Sequence, residues 1–242
     1  MYNYTVQTLI DFTLGDGWLG YKSEKHKLPH FRVEHSAKQK EYAQHKCDIL
    51  NDLGLLSTCV ETKRGNWYTS SVQSEFAKTA HKYLYNKRRK SIDKALLREM
   101  NVRSLAYFFM DDGGAHIKRR KKLGKYNYIY EKPFIDAFSL ATCSFTIEEN
   151  NLLIDWLRET FSIRARLNIL KQKYPRIVID GAEAKNTLVC TIEPYIIPNL
   201  RYKIDKPLTT RGMSFEKHLY GERLNESGTI TSVCDSLISM ET

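Results

Sequence analysis

Leu105-Ala106-Tyr107-Phe108-Phe109-Met110-Asp111-Asp112-Gly113 and Leu9-Ile10-Asp11-Phe12-Thr13-Leu14-Gly15-Asp16-Gly17 are two versions of one nine-residue frame within a chain of 242 residues. Each is an apolar helical run closed by a small or acidic residue, an Asp and a Gly. An apolar run in a helix must bury itself, and an Asp-Gly directly after it sits where the helix stops. A single Asp-Gly is an ordinary turn signal. Two of them behind matching apolar helices imply that the helices pack on each other and bring Asp16 and Asp112 together. Adjacent carboxylates repel and raise one another's pKa, so the pair makes sense chiefly with divalent cations beside it, and hard oxygen ligands point to Mg²⁺.

The stretches downstream of the two motifs repeat as well. Ser36-Ala37-Lys38-Gln39 has the form of a capping box opening a helix toward Gly54, with Tyr42, Ala43, Ile49, Leu50 and Leu53 on one face. Thr146-Ile147-Glu148-Glu149 does the same for a helix carrying Leu153, Trp156, Leu157 and Phe161. Alternating residues 31–35 and 134–142 read as strands between motif and capped helix. After each capped helix comes a second hairpin, 58–63 with 67–72 and 164–170 with 176–180, and then a closing helix, 74–85 and 184–191. The second half carries a longer insert, built on Lys118-Arg119-Arg120-Lys121-Lys122.

The paired motifs resemble those of the LAGLIDADG homing endonucleases, single-chain type, and the resemblance extends over about residues 5–205. It implies an α+β fold of two pseudo-symmetric αββαββα halves forming a saddle of antiparallel sheets over DNA. Residues 1–90 and 104–205 are then the halves, 91–103 a linker, and 206–242 an extension with one short helix at 214–219. The activity it implies is a double-strand break in a long DNA target by metal-dependent phosphodiester hydrolysis, promoting mobility of a host intron and leaving short 3′ overhangs. By resemblance Asp16 and Asp112 are the metal-binding catalytic carboxylates, with Gly15 and Asp111 offering backbone carbonyls. Lys90 and Lys203 come after the closing helices at pseudo-equivalent places, where family lysines lie near the active sites and stabilise phosphate charge. Ca²⁺ is expected to support binding without cleavage. Glu34 and residues 141–143 occupy neighbouring strand ends, and Ala141 and Cys143 depart from the polar side chains frequent in relatives. That difference anticipates two cleavage pockets of unequal efficiency. Two rivals stand beside this reading, an RNA maturase acting on a group I intron and a non-cleaving DNA-binding regulator; retention of both Asp16 and Asp112 argues against the second only.

Charge agrees with a polyanionic partner, since the formal net charge is +10 and the pI about 9.3. In Arg164-Ala165-Arg166-Leu167-Asn168-Ile169 a period of two puts Arg164, Arg166 and Asn168 on one face and Ala165, Leu167 and Ile169 on a core face. The return strand points Ile177 and Ile179 inward and Arg176, Val178 and Asp180 outward. Such a ribbon can enter the major groove, where Arg and Asn read base edges, or can be an ordinary solvated sheet face. Arg32, Glu34, Lys63, Arg64, Lys171 and Lys173 complete the expected DNA surface. Lys118, Arg119, Arg120 and Lys122 suit phosphate contacts rather than base readout. The five cysteines are isolated and outline no zinc site or disulfide framework. No apolar run suits a membrane span, and no transit peptide is evident in front of the first motif. This suits a monomer made within a mitochondrion or chloroplast, or in a bacterial cytoplasm.

Overall fold

The computed structural model describes residues 2–23, 25–118, 133–171 and 173–208. The first half runs α1 (Tyr2–Leu14), β1 (Trp18–Gly20), β2 (His30–His35), α2 (Lys40–Asp52), β3 (Ser57–Glu61), β4 (Trp67–Ser71) and α3 (Glu75–Leu84). A small hairpin, β5 (Tyr85–Asn86) with β6 (Arg89–Lys90), and the short helix α4 (Lys94–Glu99) lead to the second half. That half repeats the order as α5 (Val102–Asp112), β7 (Gly113–Lys118), β8 (Phe134–Leu140), α6 (Ile147–Phe161), β9 (Arg166–Leu170), β10 (Tyr174–Ile179) and α7 (Ala182–Ile192), and ends in a 3₁₀ turn at Pro198–Lys203. Each half holds a four-stranded antiparallel sheet, ordered β1-β2-β4-β3 and β7-β8-β10-β9. The two orders are the same, so the duplication seen in the motifs extends to topology. This is the α+β saddle of two αββαββα halves that the paired motifs imply.

The motif helices form the seam. Leu9, Ile10 and Phe12 of α1 and Leu105, Ala106, Phe108, Phe109 and Met110 of α5 belong to one continuous buried core. The closing glycines serve close approach: a Cβ on Gly17 would collide with the Phe12 carbonyl, and one on Gly113 with the Phe109 carbonyl. The helices are also joined by charge. Asp11, fully buried within the first apolar run, accepts from Arg103 Nε at 2.6 Å, Ser104 Oγ at 2.7 Å and Gln7 Nε2 at 2.8 Å. Burial raises its pKa, and the Arg103 charge opposes that rise.

Thr146 caps α6 through the full reciprocal box, accepting from the Glu149 amide at 3.2 Å while Glu149 accepts from the Thr146 amide at 2.7 Å. Glu149 also takes both guanidinium branches of Arg89, at 2.7 and 2.9 Å, and the Ile92 amide at 3.2 Å. The connection between the halves is therefore fastened to the second half by one carboxylate. Thr146→Ala is expected to cost about 1 kcal/mol, and Glu149→Ala about 2–3 kcal/mol because charge-assisted bonds are lost with the cap. Urea unfolding of the two variants measures the difference.

Three local expectations are corrected. Ser36 makes no capping bond to the backbone; its hydroxyl donates to Gln39 Oε1 at 3.3 Å, a 3₁₀ turn intervenes, and α2 starts only at Lys40. Ile169, expected in the core, is 42% exposed because β9 is the edge strand of its sheet. Val178, expected outward, is buried because β10 lies between β8 and β9, with Val178 opposite Ser139 on one side and the long stem of Arg166 on the other. The second closing helix is also slightly longer than expected, Ala182–Ile192. The helix expected at 214–219 and the basic residues Arg119, Arg120 and Lys122 lie outside the described residues.

Candidate active site

Asp16 lies just beyond the end of α1 and Asp112 closes α5, so the packing of the motif helices sets both carboxylates at the seam between the two sheets. Burial pushes the Asp112 carboxyl up to about 7, and the negative charges of Asp16 and Asp111 push in the same direction. Asp16 is raised as well, first by burial and then by Asp111. The flanking cations, Lys90 and Lys203, pull both carboxyls down. Burial in turn lowers the pKa of each lysine.

The two lysines are fixed by backbone at the ends of the motif helices. Lys90 donates to the Gly15 carbonyl. Lys203 donates to the Met110 carbonyl at 2.6 Å and the Gly113 carbonyl at 2.8 Å. Each ammonium thus sits at the carbonyl end of the motif helix of its own half, where the helix dipole favours positive charge. The expected carbonyl of Gly15 is therefore engaged by Lys90.

Asp111 enters through its side chain, which is fully buried and takes Lys46 Nζ at 2.8 and 3.1 Å and the Asp16 amide at 3.2 Å. Gly15 makes room for it: a Cβ at that position would overlap the Asp111 side chain. His35, from the end of β2, is buried, with Nδ1 3.9 Å from Asp16 Oδ2. Burial and the nearby Lys46 ammonium hold its imidazole neutral, with the pKa pushed down to about 3. Asp16, His35 and Asp111 offer donor atoms that all lie within 4.8 Å of one another. Lys46 and His35 are not among the residues the sequence singles out for the site. Each carries a signal, a lone cation among the apolar positions Tyr42, Ala43, Cys47 and Leu50, and an inward histidine alternating with Phe31 and Val33.

The donor set fits a hard divalent cation. Buried carboxylates crowd a seam where their own repulsion and lack of solvent disfavour ionisation, and a bound dication reverses both effects. The cost can be measured without metal. The folded Asp112 carboxyl keeps its proton to about pH 7. The unfolded one ionises near pH 4, so over that window the folded state binds more protons and stability from this group falls as pH rises. Asp112→Asn should accordingly melt at the same temperature as the parent near pH 4. Its advantage should grow to a few kcal/mol above pH 7, at about 1.4 kcal/mol per pKa unit. Melting curves in chelator across pH 4–8 test it.

The strands carry the expected polar surface with varied engagement. Arg32 and Glu34 are exposed on β2; the Arg32 guanidinium lies 3.9 Å from the Trp18 ring centroid, and Glu34 accepts from Asn66 Nδ2 at 2.9 Å. Lys63 and Arg64 are exposed at the β3–β4 turn, and Arg164, Lys171 and Lys173 are exposed around β9. Arg176 is half-buried directly opposite Asn168, and Arg166 is paired with Asp180 at 2.8 Å. Lys118 ends β7 and is paired with Asp136.

Paired motif helices, each with a carboxylate at or just beyond its C-terminus and each followed by a four-stranded sheet of the same strand order, define a double-motif, pseudo-twofold α+β protein. The chain belongs to the LAGLIDADG DNA endonuclease family, which residues 7–186 match. It is 28% identical over 206 residues to the probable intron-encoded endonuclease 1 of Wickerhamomyces canadensis, a match covering 82% of each chain. Among solved structures it resembles the homing endonuclease I-WcaI bound to its DNA recognition sequence, with 25% identity, a TM-score of 0.64, and coverage of 84% of this chain and 86% of that one. The meganuclease I-AabMI, bound to uncleaved DNA, shares the fold at 11% identity and a TM-score of 0.54, over 79% of this chain and 84% of that one. Among the described residues no helix is long and apolar enough to cross a membrane.

Proposed function

We propose that the chain is a monomeric, Mg²⁺-dependent homing endonuclease that makes a site-specific double-strand break in a long DNA target and so promotes mobility of its host intron. The observation that carries this reading is the placement of Asp16 and Asp112 at the seam of the two halves, each with its own carbonyl-anchored lysine. One carboxylate and one lysine per half suit one strand of a duplex each. Membership of a DNA endonuclease family and the likeness to a DNA-bound homing endonuclease support the same conclusion. The intron-encoded relative favours an intron host and the organelle or bacterial setting expected of one.

In this reading Asp16 and Asp112 hold the cation, and Lys90 and Lys203 meet the phosphates that flank them. The cation supplies Lewis-acid stabilisation of charge that develops on a phosphodiester. Because Lys90 and Lys203 are bonded to backbone before DNA arrives, their charge is in place without further reorganisation. Arg32, Glu34, Arg164, Asn168 and Arg176 meet base edges, while Lys63, Arg64, Lys118, Lys171 and Lys173 contact phosphates. Arg166 reads a base only by leaving Asp180.

The test is cleavage of a randomised duplex library by the full chain with Mg²⁺ and, in parallel, with Ca²⁺. Enrichment of one long cut site with Mg²⁺, and retention of the same site uncut with Ca²⁺, is the result expected. Binding without any cut in Mg²⁺ would overturn the endonuclease reading in favour of a binding role.

A further inference from the structure

The two halves share a topology but differ in chemistry on one side of the seam. The register Trp18↔Arg32 places Glu34 opposite Asp16, and the Ala141 amide donates to the Asp112 carbonyl in the other half. Glu34 and Ala141 therefore correspond, and the next residues, His35 and Thr142, correspond as well. Carried into the next helices, the same offset pairs Lys46 with Leu153, and the motifs pair Gly15 with Asp111. The first half thus carries His35 and Lys46 beside the motif carboxylates, where the offset gives the second half Thr142 and Leu153. Thr142 is buried and its hydroxyl donates to Asn150 Oδ1, so the second half offers a neutral, satisfied side chain where the first offers an imidazole.

His35 has a disposition that structural burial alone does not account for. Only 1% of its side chain is exposed, its Nε2 has no hydrogen-bond partner among the described residues, and its Nδ1 is turned toward the carboxylate of Asp16, a side chain that is itself 44% exposed. The 3.9 Å between Nδ1 and Oδ2 is too long for a hydrogen bond. Adjacent donors on one octahedral cation at roughly 2.1–2.2 Å each stand about 3.0 Å apart, so an ion shared by Nδ1 and Oδ2 would draw the half-exposed Asp16 carboxylate inward by about 1 Å. Asp111, whose two oxygens are held by Lys46, stays neutralised beside them.

We infer that the first-half cation position is a mixed nitrogen–oxygen site in which His35 Nδ1 joins the Asp16 carboxylate, so that this half takes Mn²⁺, Co²⁺ or Ni²⁺ in preference to Mg²⁺ while the second half does not. Carboxylate and water suit Mg²⁺ and Mn²⁺ alike, and an added imidazole favours the transition ions by an amount that rises from Mn²⁺ through Co²⁺ to Ni²⁺. The inference rests on the metal-dependent reading of Asp16 and Asp112. Its consequence is strand asymmetry that depends on the metal: Mn²⁺ advances the nick made on the Asp16 side relative to the nick on the Asp112 side.

Pulsed electron paramagnetic resonance of Mn²⁺ bound to the full chain, labelled with ¹⁵N-histidine, tests for a histidine ligand directly, and a His35 variant assigns it. Coupling to a histidine nitrogen is expected in the parent and should disappear in His35→Thr, which copies the second half. The Mn²⁺ to Mg²⁺ affinity ratio should fall in that variant by at least the roughly tenfold that loss of an outer-shell partner costs a metal site. Bound Mn²⁺ with no nitrogen coupling in the parent would overturn the role of His35 and leave the endonuclease reading standing. Failure of the parent to bind Mn²⁺ at all would overturn both.

Discussion

Asp16→Asn and Asp112→Asn should each abolish double-strand cleavage while leaving the protein folded and able to bind its target. Either change removes the negative charge proposed to hold the cation and keeps the side-chain shape. The expected loss for the strand served by that carboxylate is on the order of 10³-fold or more, about 4 kcal/mol of transition-state stabilisation. Because each half supplies its own carboxylate and lysine, the variants should differ in which strand keeps residual nicking. Strand-resolved assays with each end of the duplex labelled separate the two. Gel-shift affinity measured in Ca²⁺ should change little, since the strand faces are untouched. Full cleavage by either variant would remove that carboxylate from the active site. Loss of binding together with cleavage would point to a folding defect, which the higher melting temperature expected of metal-free Asp112→Asn above pH 7 argues against.

The range of each interaction decides how far it can be read in the sequence. The motif helices, the hairpins and the succession of elements in the halves are legible because periodicity and turn chemistry act within a few residues, and because each signal occurs twice. Lys90 and Lys203 are legible as positions, but their bonds to the Gly15 and Met110 carbonyls span 75 and 93 residues and leave no local trace. Ser36 misleads because a serine with a polar residue three positions on has two uses for its hydroxyl, and here it bonds the Gln39 side chain instead of an orphan amide. Ile169 and Val178 mislead for another reason. Alternation fixes which residues share a face of a strand, but whether a strand lies at the edge or between neighbours decides how much of that face is covered. Asp11 is the sharpest case: a carboxylate inside an apolar run takes Gln7 from its own helix, but its charge is met by Arg103 and its third bond made by Ser104, both contributed by the other motif helix.

The largest stability effect is expected at Lys46. Its side chain and that of Asp111 are both fully buried, and they face each other at 2.8 Å. Two charges taken out of water gain little net stability from their mutual attraction, but removing one leaves the other uncompensated, at a cost of about 3–5 kcal/mol. Lys46→Leu should therefore be strongly destabilising, and Asp111→Ala likewise. The double variant should not show the sum. By the offset between the halves, Leu153 and Gly15 correspond to Lys46 and Asp111, so the second half does without this ion pair. Lys46→Leu with Asp111→Ala should recover most of the loss, giving a coupling of several kcal/mol in a double-mutant cycle. Urea unfolding of the parent, both single variants and the double measures it. Additive losses would mean that the ion pair is not the partner relation the geometry indicates. Recovery of stability with changed cleavage would assign the pair a second task, since Asp111 also accepts from the Asp16 amide at 3.2 Å and so fixes the backbone from which the first-half carboxylate projects.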